Sequence, residues 1–420
     1  MTTSTQTIEW FRHTAPYINA HRGKTMVVGL SSGALHDDNF GNLIHDLALM
    51  HSMGIKLVIV HDVAKPAEFY RDRPLSKDGL AQHLSESADA HLAIEQKLST
   101  GLPNSPLHRT RLKVTTGNYV TARPIGVIDG TDFGSNGVVR SVDVSAVHHC
   151  LSGGSICVLP PLGHSPAGET FALDSLDLLR AVAVAIAADK VIVLSEHDGL
   201  KCDGELVRQT TVDELRSAAP EQAIRPLIQL ACDVCDAGVA RAHLIGFHDN
   251  GALLKELFTH DGAGTLISPE PYEQTRAATI EDIPGLIELI RPLESAGVLV
   301  PRSLERIERE IDDYICVLRD GRVIACVAVY CHHDDNLAEM ACLATDPAYR
   351  DLGHGEHLMN HAKQRAISSG ISRLFARTTQ TAHWFREQGF SEISLQELPD
   401  SLYENIDQSR QSKLLMLQNF

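Results

Sequence analysis

The chain has no apolar run long enough to cross a bilayer. Its longest run, Ala181–Ala188, is far short of the roughly 20 residues that a membrane-spanning helix needs. The N-terminal stretch Met1–Trp10 is polar and lacks the apolar core of a signal peptide. Positive charge is also scarce, because 37 Lys and Arg stand against 54 Asp and Glu, a net charge of −17. Nucleic acids and anionic membranes need basic surfaces, so we expect the protein to bind neither. Without a signal peptide, we expect it to be cytoplasmic.

Paired cysteines are equally scarce. The nine cysteines are scattered, and only Cys232 and Cys235 are separated by two residues. A structural metal site of this kind normally needs a second pair, so we expect no metal. Reduced thiols are the expectation for a cytoplasmic chain.

Strand-like and helix-like segments alternate from Lys24 to about Leu266, and this order predicts a mostly parallel sheet flanked by helices. Ser268-Pro-Glu-Pro271 interrupts the alternation, and a second series follows. We therefore predict a first domain over 1–267, a linker over 268–274 and a second domain over 275–420. The predicted strands of the first domain are Met26–Leu30, Leu57–Val60, Ser155–Leu159, Lys190–Leu194 and Ala242–Gly246. In the second domain the pattern predicts a helix over Leu304–Asp313 and a strand over Tyr314–Arg319.

A glycine-containing loop stands out in the second domain. Arg350-Asp-Leu-Gly-His-Gly355 follows a predicted strand and opens a predicted helix over His354–Ser369. Glycine allows close backbone approach, and the N–H groups at a helix N-terminus attract anions such as pyrophosphate. Alone, this pattern is equally compatible with an ordinary turn.

The complete pattern resembles the R/Q-x-x-G-x-G/A loop of the GNAT acetyltransferase superfamily. The order of the surrounding elements and the segment Trp384-Phe-Arg-Glu-Gln-Gly-Phe390 are also similar to that fold. The resemblance implies a mixed-sheet α/β domain that uses acetyl-CoA as cosubstrate, with no permanently bound cofactor. It implies that acetyl-CoA is bound by Cys342, Leu343, Ala344, Arg350, Gly353, His354 and Gly355.

Transfer to an amine needs a group that removes a proton and one that protonates the leaving thiolate. Glu339, in a predicted buried strand, is the candidate base, and the alternative is a carboxylate that faces water. Many GNAT enzymes supply the acid from a tyrosine, but Phe385 stands at that position here. Thr378, His383 or water remain candidates, and we retain Thr378 as a catalytic residue.

The whole chain resembles the classical bacterial N-acetylglutamate synthase family, in which an amino-acid-kinase-like domain is fused to a GNAT domain. The segments that carry the resemblance are HLIGFHDNGALLKELFTHDGAGT at 243–265, ELIRPLESAGVLVPRS at 288–303, EMACLATDPAYR at 339–350, TTQTAHWFREQGF at 378–390 and RQSKLLML at 410–417. It implies acetyl transfer to L-glutamate, the first step of arginine biosynthesis. Arg302, Arg410 and Ser412 would bind glutamate, and arginine forks suit carboxylates.

The resemblance gives the first domain a three-layer αβα kinase fold, but the kinase residues are missing. The first strand leads into Ser31-Ser32-Gly33 without the family's lysine and glycine pair, and Gly168-Glu169 lacks the asparagine that should follow. Phosphoryl transfer depends on such groups, so kinase activity is not expected. The segment His61–Leu98 matches the family poorly.

Four other residues match the arginine-binding set of arginine-sensitive relatives, namely Tyr17, His243, Glu256 and Gly262. The resemblance therefore implies feedback inhibition by L-arginine and a homo-hexamer. Alternatively, Tyr17 packs in an oligomer interface and Glu256 is a solvated helix residue. Two other functions remain open, a GNAT enzyme for another amino acid and a non-catalytic regulator that responds to arginine.

Overall fold

The structure is a computed structural model that describes residues 14–63, 73–99, 112–217, 221–259, 262–270, 273–319, 321–350, 353–399, 402, 412–418 and 420. Contacts divide the chain into two compact units, Met1–Pro271 and Tyr272–Phe420. Within the described ranges no helix is both long and apolar enough to cross a membrane.

An eight-stranded sheet forms the centre of the N-terminal unit. Its order is β14-β16-β15-β11-β1-β2-β8-β3, and every neighbouring pair is parallel except β15 with β16. The strands of this sheet are β1 (Thr25–Leu30), β2 (Lys56–His61), β3 (Lys113–Thr115), β8 (Ser155–Leu159), β11 (Lys190–Ser195), β14 (Gln209–Thr211), β15 (Arg241–Gly246) and β16 (Thr265–Ser268).

Helices cover both faces of this sheet, because its central strands are apolar on both sides. The described helices are α1 (residues 14–21), α2 (Phe40–Ser52), α3 (Lys77–Ser99), α4 (Val144–Ser152), α5 (Ser175–Ala185), α6 (Val212–Ser217), α7 (Arg225–Asp236) and α8 (Ala252–Phe258). Smaller sheets contain β4 (Val120–Pro124), β5 (Val127–Ile128), β6 (Thr131–Asp132), β7 (Gly137–Val142), β9 (Leu162–His164), β10 (Thr170–Ala172), β12 (Lys201–Cys202) and β13 (Glu205–Leu206).

The C-terminal unit contains a seven-stranded mixed sheet in the order β17-β18-β19-β20-β21-β23-β22. Its only parallel neighbours are β20 and β21. The strands are β17 (Glu273–Ala277), β18 (Tyr314–Arg319), β19 (Arg322–His332), β20 (Leu337–Thr345), β21 (Arg373–Thr378), β22 (Ser391–Glu392) and β23 (Lys413–Gln418), and the helices are α9 (Ile283–Ser295), α10 (Leu304–Arg309), α11 (His354–Ser368) and α12 (Ala382–Glu387).

Most predicted elements form, with small differences at their ends. The helix predicted to run from Leu304 to Asp313 is wrong in its second half, because α10 ends at Arg309 and a separate 3-10 turn covers Ile311–Asp313. β16 includes Ser268 and β17 begins at Glu273, and the linker over 268–274 stays a prediction. All nine cysteines are free thiols, and burial raises the pKa of Cys235 to about 12.

Candidate active site and effector site

The two parallel strands at the centre of the C-terminal sheet separate partway along their length. Pairing joins Ala338–Met340 of β20 to Leu374–Ala376 of β21, and neither strand pairs with the other beyond those residues. β20 nevertheless continues to Thr345 and β21 to Thr378. The gap leaves backbone groups that an extended, amide-containing ligand can bind as another strand would.

A β-bulge lies on β20 beside this gap. The register with β19 passes from Ala328↔Ala341 to Cys326↔Ala344, so that Cys342 and Leu343 together oppose a single residue. Cys342 has a φ of 53°, an unusual value for a residue with a side chain. The bulge changes which side chains of β20 point to each face, as bulges near functional sites commonly do.

The predicted anion-binding loop leads into the N-terminus of α11. Gly353 is the N-cap with a φ of 83°, a left-handed conformation that favours glycine, and the helix then runs for 15 residues. Its first N–H groups have no acceptor within the helix and point toward the loop. Arg350 is exposed beside a cavity of about 120 Å³. The Trp384 ring packs against Gly355. The binding of an anion by Arg350, Gly353 and Gly355 stays a prediction.

Arg302 is the most unusual charge in this unit. It is only 8% exposed, although it lies just before α10 in a loop where a surface position is the usual expectation. Its Nη1 donates to the carbonyl oxygen of Val300 at 3.0 Å. In the part of the chain that the structure describes, its Nε has no hydrogen-bond partner, and the guanidinium has no carboxylate partner. A buried cation without a counter-ion is energetically costly, so this guanidinium favours an anionic ligand.

Neutral polar groups surround this guanidinium. Burial alone would lower the pKa of Arg302, but the Cys342 thiol and the hydroxyls of Tyr314 and Tyr330 raise it above its ordinary value. In turn, a hydrogen bond with Cys326 and the charge of Arg302 lower the pKa of the Cys342 thiol. Arg302 therefore remains a cation, and the bulge brings Cys342 close to it.

Glu339 lies on β20 just before the strands separate and is 7% exposed. Its Oε1 accepts hydrogen bonds from Nε of Arg377 at 3.0 Å and from Nη2 at 2.5 Å. The carboxylate therefore faces a guanidinium rather than an apolar pocket or open water. Its role as the base stays a prediction, and Arg377 is an addition that the sequence analysis missed.

The candidate acids have contrasting surroundings. The Thr378 hydroxyl accepts from the backbone N–H of Thr381 at 2.9 Å and shares a hydrogen bond with the Thr381 hydroxyl at 2.8 Å. The His383 side chain is 86% exposed and contacts Glu387. Phe385 is buried against Trp384 and Phe390. Thr378 thus has a clear part in closing the turn before α12, and its catalytic role remains a prediction.

One of the two predicted substrate residues near the C-terminus lies within the described ranges. Ser412 is partly buried and immediately precedes β23, which pairs with β21. Arg410 lies outside the described residues.

A second buried charge lies in the N-terminal unit. Glu256 of α8 is 9% exposed, and its Oε1 is 2.8 Å from Nδ1 of His243 on β15. Its Oε2 accepts the backbone N–H groups of Ala263 at 2.7 Å and Gly264 at 2.8 Å. Although burial opposes it, these hydrogen bonds lower the pKa of Glu256 to about 2, and burial lowers the pKa of His243. At neutral pH the pair is therefore a carboxylate beside a neutral imidazole.

The loop that follows α8 closes around this carboxylate. Gly262 has a φ of 64°, and a Cβ there would lie 2.7 Å from Oε2 of Glu256. His243, Glu256 and Gly262 are thus brought together, and Nε2 of His243 has no hydrogen-bond partner in the described ranges. Tyr17 of α1 packs partly buried on the hydrophobic core that also contains Phe258 of α8.

Acidic side chains lie beside the loop that follows β1 in the kinase-like unit. Ser31, where the kinase family has glycine, donates to Oε1 of Glu196 at 3.2 Å. A cavity of about 110 Å³ nearby is lined by Glu196, Asp198 and Glu221, and its Lys201 is paired with Asp198 at 2.9 Å. Carboxylates repel nucleotide phosphates. The lack of kinase activity stays a prediction.

Comparisons with known proteins match this architecture. Residues 24–246 match the Amino acid kinase family, and residues 284–390 match the Acetyltransferase (GNAT) family. The amino-acid acetyltransferase of Pseudomonas putida KT2440 is 41% identical over 97% of this chain and 98% of its own length. That of Pseudomonas fluorescens Pf-5 is 42% identical with the same coverage. The chain belongs to the amino-acid acetyltransferase family.

Solved structures agree with this assignment. N-acetylglutamate synthase from Neisseria gonorrhoeae, in complex with coenzyme A and L-arginine, superposes with a TM-score of 0.85 at 34% identity, covering 98% of this chain and 99% of that one. The same enzyme with coenzyme A and N-acetyl-glutamate gives 0.60. These findings confirm the predicted fold of both units, the acyltransferase class and acetyl-CoA as cosubstrate. As a member of the amino-acid acetyltransferase family, the protein combines a kinase-like unit with a GNAT unit.

Proposed function

We propose that this amino-acid acetyltransferase transfers the acetyl group of acetyl-CoA to the amine of L-glutamate, the first step of arginine biosynthesis, and that L-arginine inhibits it. The observation that carries the proposal is the buried guanidinium of Arg302, which has no carboxylate partner among the described residues. Charge-assisted hydrogen bonds from arginine suit a substrate carboxylate. Arg410 and Ser412, which match the family's substrate residues, would complete the acceptor side.

The donor side would be the strand gap and the loop at α11. The pantetheine arm of acetyl-CoA would lie along Cys342, Leu343 and Ala344, and its pyrophosphate would meet the N–H groups after Gly353 together with Arg350. This arrangement would place the thioester of acetyl-CoA beside Glu339, the proposed base, and Arg302, the proposed ligand of the glutamate carboxylate. Holding two reactants in one geometry supplies much of the rate enhancement in such a transfer.

The reaction then requires two proton movements. Glu339 takes one proton from the glutamate ammonium, directly or through water, and the neutral amine attacks the thioester carbonyl carbon. A carbon–nitrogen bond forms and the carbon–sulfur bond breaks. The sulfur receives a proton from a donor, and the second proton that leaves the nitrogen restores this donor, so that one net proton remains on Glu339. Phe385 cannot protonate the sulfur, and we keep Thr378 as the candidate donor.

The effector site supports the arginine part of the proposal. Glu256 is a buried carboxylate without a cationic partner among the described residues, and it would bind a guanidinium, with Gly262, His243 and Tyr17 around the ligand. The solved Neisseria gonorrhoeae relative binds L-arginine, which agrees with this proposal. The resemblance to that family also leads us to propose a homo-hexamer, which light scattering at several protein concentrations would test.

One assay tests the proposed function. Coenzyme A release is measured with acetyl-CoA and a panel of amino acids, with and without millimolar L-arginine. We expect glutamate to be the preferred acceptor, N-acetylglutamate to be the product by mass spectrometry, and arginine to reduce the rate. Preference for aspartate or another amine would overturn the substrate, and an unchanged rate with arginine would overturn only the effector. Absence of turnover with all amines would favour a non-catalytic regulator.

A further inference from the structure

Arg377 occupies a defined position at the point where β20 and β21 separate. It follows Ala376, the last residue of β21 that pairs with β20, and it lies two residues beyond Phe375, the register partner of Glu339. Side chains alternate along a strand, so Phe375, Arg377 and Glu339 share one face of the sheet. Arg377 is thus the first side chain of β21 on that face where the gap opens.

Arg377 forms hydrogen bonds with only one of the two carboxylate oxygens of Glu339. Nε and Nη2 both donate to Oε1 of the carboxylate. Among the described residues, Oε2 of Glu339 and Nη1 of Arg377 make no hydrogen bond, and the arginine side chain remains 27% exposed. One oxygen is therefore held by two donors, and the other is available to a ligand.

Resting on the function proposed above, we propose that Arg377 is a positioning residue for acetyl transfer. It fixes the carboxylate of Glu339 through Oε1 so that Oε2 receives the proton of the acceptor amine. Hydrogen bonds between a guanidinium and a carboxylate are charge-assisted and therefore stronger than neutral ones. Two donors on one rigid plane also fix its orientation, which a single flexible ammonium cannot do.

Another arginine of the same strand shows what a purely structural contact looks like. Arg373 begins β21, and its guanidinium donates to the backbone carbonyl oxygens of Asp335 and Asn336. It contacts no titratable group through these hydrogen bonds and lies at the opposite end of the strand from the gap. Arg373→Gln is therefore a matched control for substitutions at position 377.

Two substitutions separate the charge from the geometry. Arg377→Lys keeps the positive charge but loses the planar pair of donors, whereas Arg377→Gln loses the charge. We expect kcat to fall about tenfold in both, with the KM for acetyl-CoA within about twofold of wild type. The profile of kcat/KM against pH should differ from wild type in Arg377→Gln and stay near wild type in Arg377→Lys. Arg373→Gln should retain the wild-type profile.

A double variant tests whether Arg377 acts through Glu339. In a Glu339→Gln background, Arg377→Gln should cause no further loss, because there is no carboxylate to position. A wild-type kcat and pH profile in Arg377→Gln, or an equal further loss in the Glu339→Gln background, would overturn the proposal. Loss of acetyl-CoA binding by calorimetry in the Arg377 variants would also overturn it, since the pair would then be structural.

The acceptor assay distinguishes this proposal from the proposed function. If wild type prefers another amine, or only hydrolyses the thioester, the glutamate assignment fails. In that case the same variants are assayed with the acceptor that the wild type uses, whether another amine or water. Either acceptor must still lose a proton. The pH profiles and the double variant decide the role of Arg377 in either case.

Discussion

Each unit of this protein buries a charge that has no oppositely charged partner among the described residues, and the two units stabilise that charge differently. Glu256 is a carboxylate whose two oxygens receive hydrogen bonds from His243, Ala263 and Gly264. Arg302 is a guanidinium whose Nε has no partner among the described residues. A carboxylate has two acceptor atoms that a short loop can saturate with backbone N–H groups, whereas a guanidinium has five donors in a fixed plane. The comparison indicates that the surroundings of Glu256 satisfy its charge without a ligand, whereas those of Arg302 leave donors unused.

The largest effect is expected at Arg302. Arg302→Met keeps the apolar stem and removes the charge, so the KM for glutamate should rise about 100-fold, or roughly 3 kcal/mol, while the KM for acetyl-CoA changes little. Because an unpaired buried charge is removed, the unfolding free energy without ligand should stay equal or increase. Steady-state kinetics and urea unfolding check both parts, and a large loss of stability would show that the charge is already compensated in the free protein.

The next effect tests the effector site. Glu256→Gln should weaken arginine inhibition at least tenfold, because the carboxylate that would face the guanidinium is neutralised. The rate without arginine should stay within about twofold of wild type. Glu214→Gln is a suitable control, since Glu214 also accepts a backbone N–H, from Thr211, but lies away from the site. Normal inhibition of Glu256→Gln would contradict the comparison.

A stability measurement against pH sharpens the contrast. The pKa of Glu256 is about 2 in the folded protein and 4.5 ordinarily, so its ionised form stabilises the fold above pH 4.5, and this contribution is lost as the pH falls toward 2. Burial lowers the pKa of His243 from its ordinary value of 6.5. Below pH 6.5 its imidazole therefore takes up a proton more readily in the unfolded chain than in the folded protein. The free energy of unfolding should therefore fall between pH 7 and pH 3, and Glu256 should account for about 2 kcal/mol of this decrease. Denaturant unfolding of wild type and Glu256→Gln at pH 3 to 7 measures this, and parallel curves would contradict it.

The smallest effect concerns the loop around Glu256. Gly262→Ala would place a Cβ at positive φ and close to Oε2, so we expect a loss of about 1 to 2 kcal/mol in stability together with weaker arginine inhibition. Gly238→Ala, also at positive φ but with open space around the added Cβ, separates backbone strain from the contact with Glu256. Equal effects of the two changes on arginine inhibition would show that the loop contact is unimportant.

The sequence predicted much of the fold because its elements are strongly patterned. Strands such as Ser155–Leu159 and Tyr314–Arg319 were predicted with the bounds that the structure gives, since both are continuous apolar runs between breaks. The end of α10 was predicted wrongly because Glu310 and the two aspartates after it also suit a helix surface. There the separate 3-10 turn depends on tertiary contacts, with Ile311 buried in the core below.

The sequence alone determined the chemistry of the loop from Arg350 to Gly355, because its glycines and its place between a strand and a helix are local properties. The family resemblance likewise depends on residue identity. Only the tertiary structure decided that Arg302 is buried without a carboxylate and that Arg377 faces Glu339, 38 residues away along the chain. The physical reason is that burial and ion pairing depend on which strands lie side by side, and on the bulge and separation of β20 and β21. No local pattern in the sequence records these features.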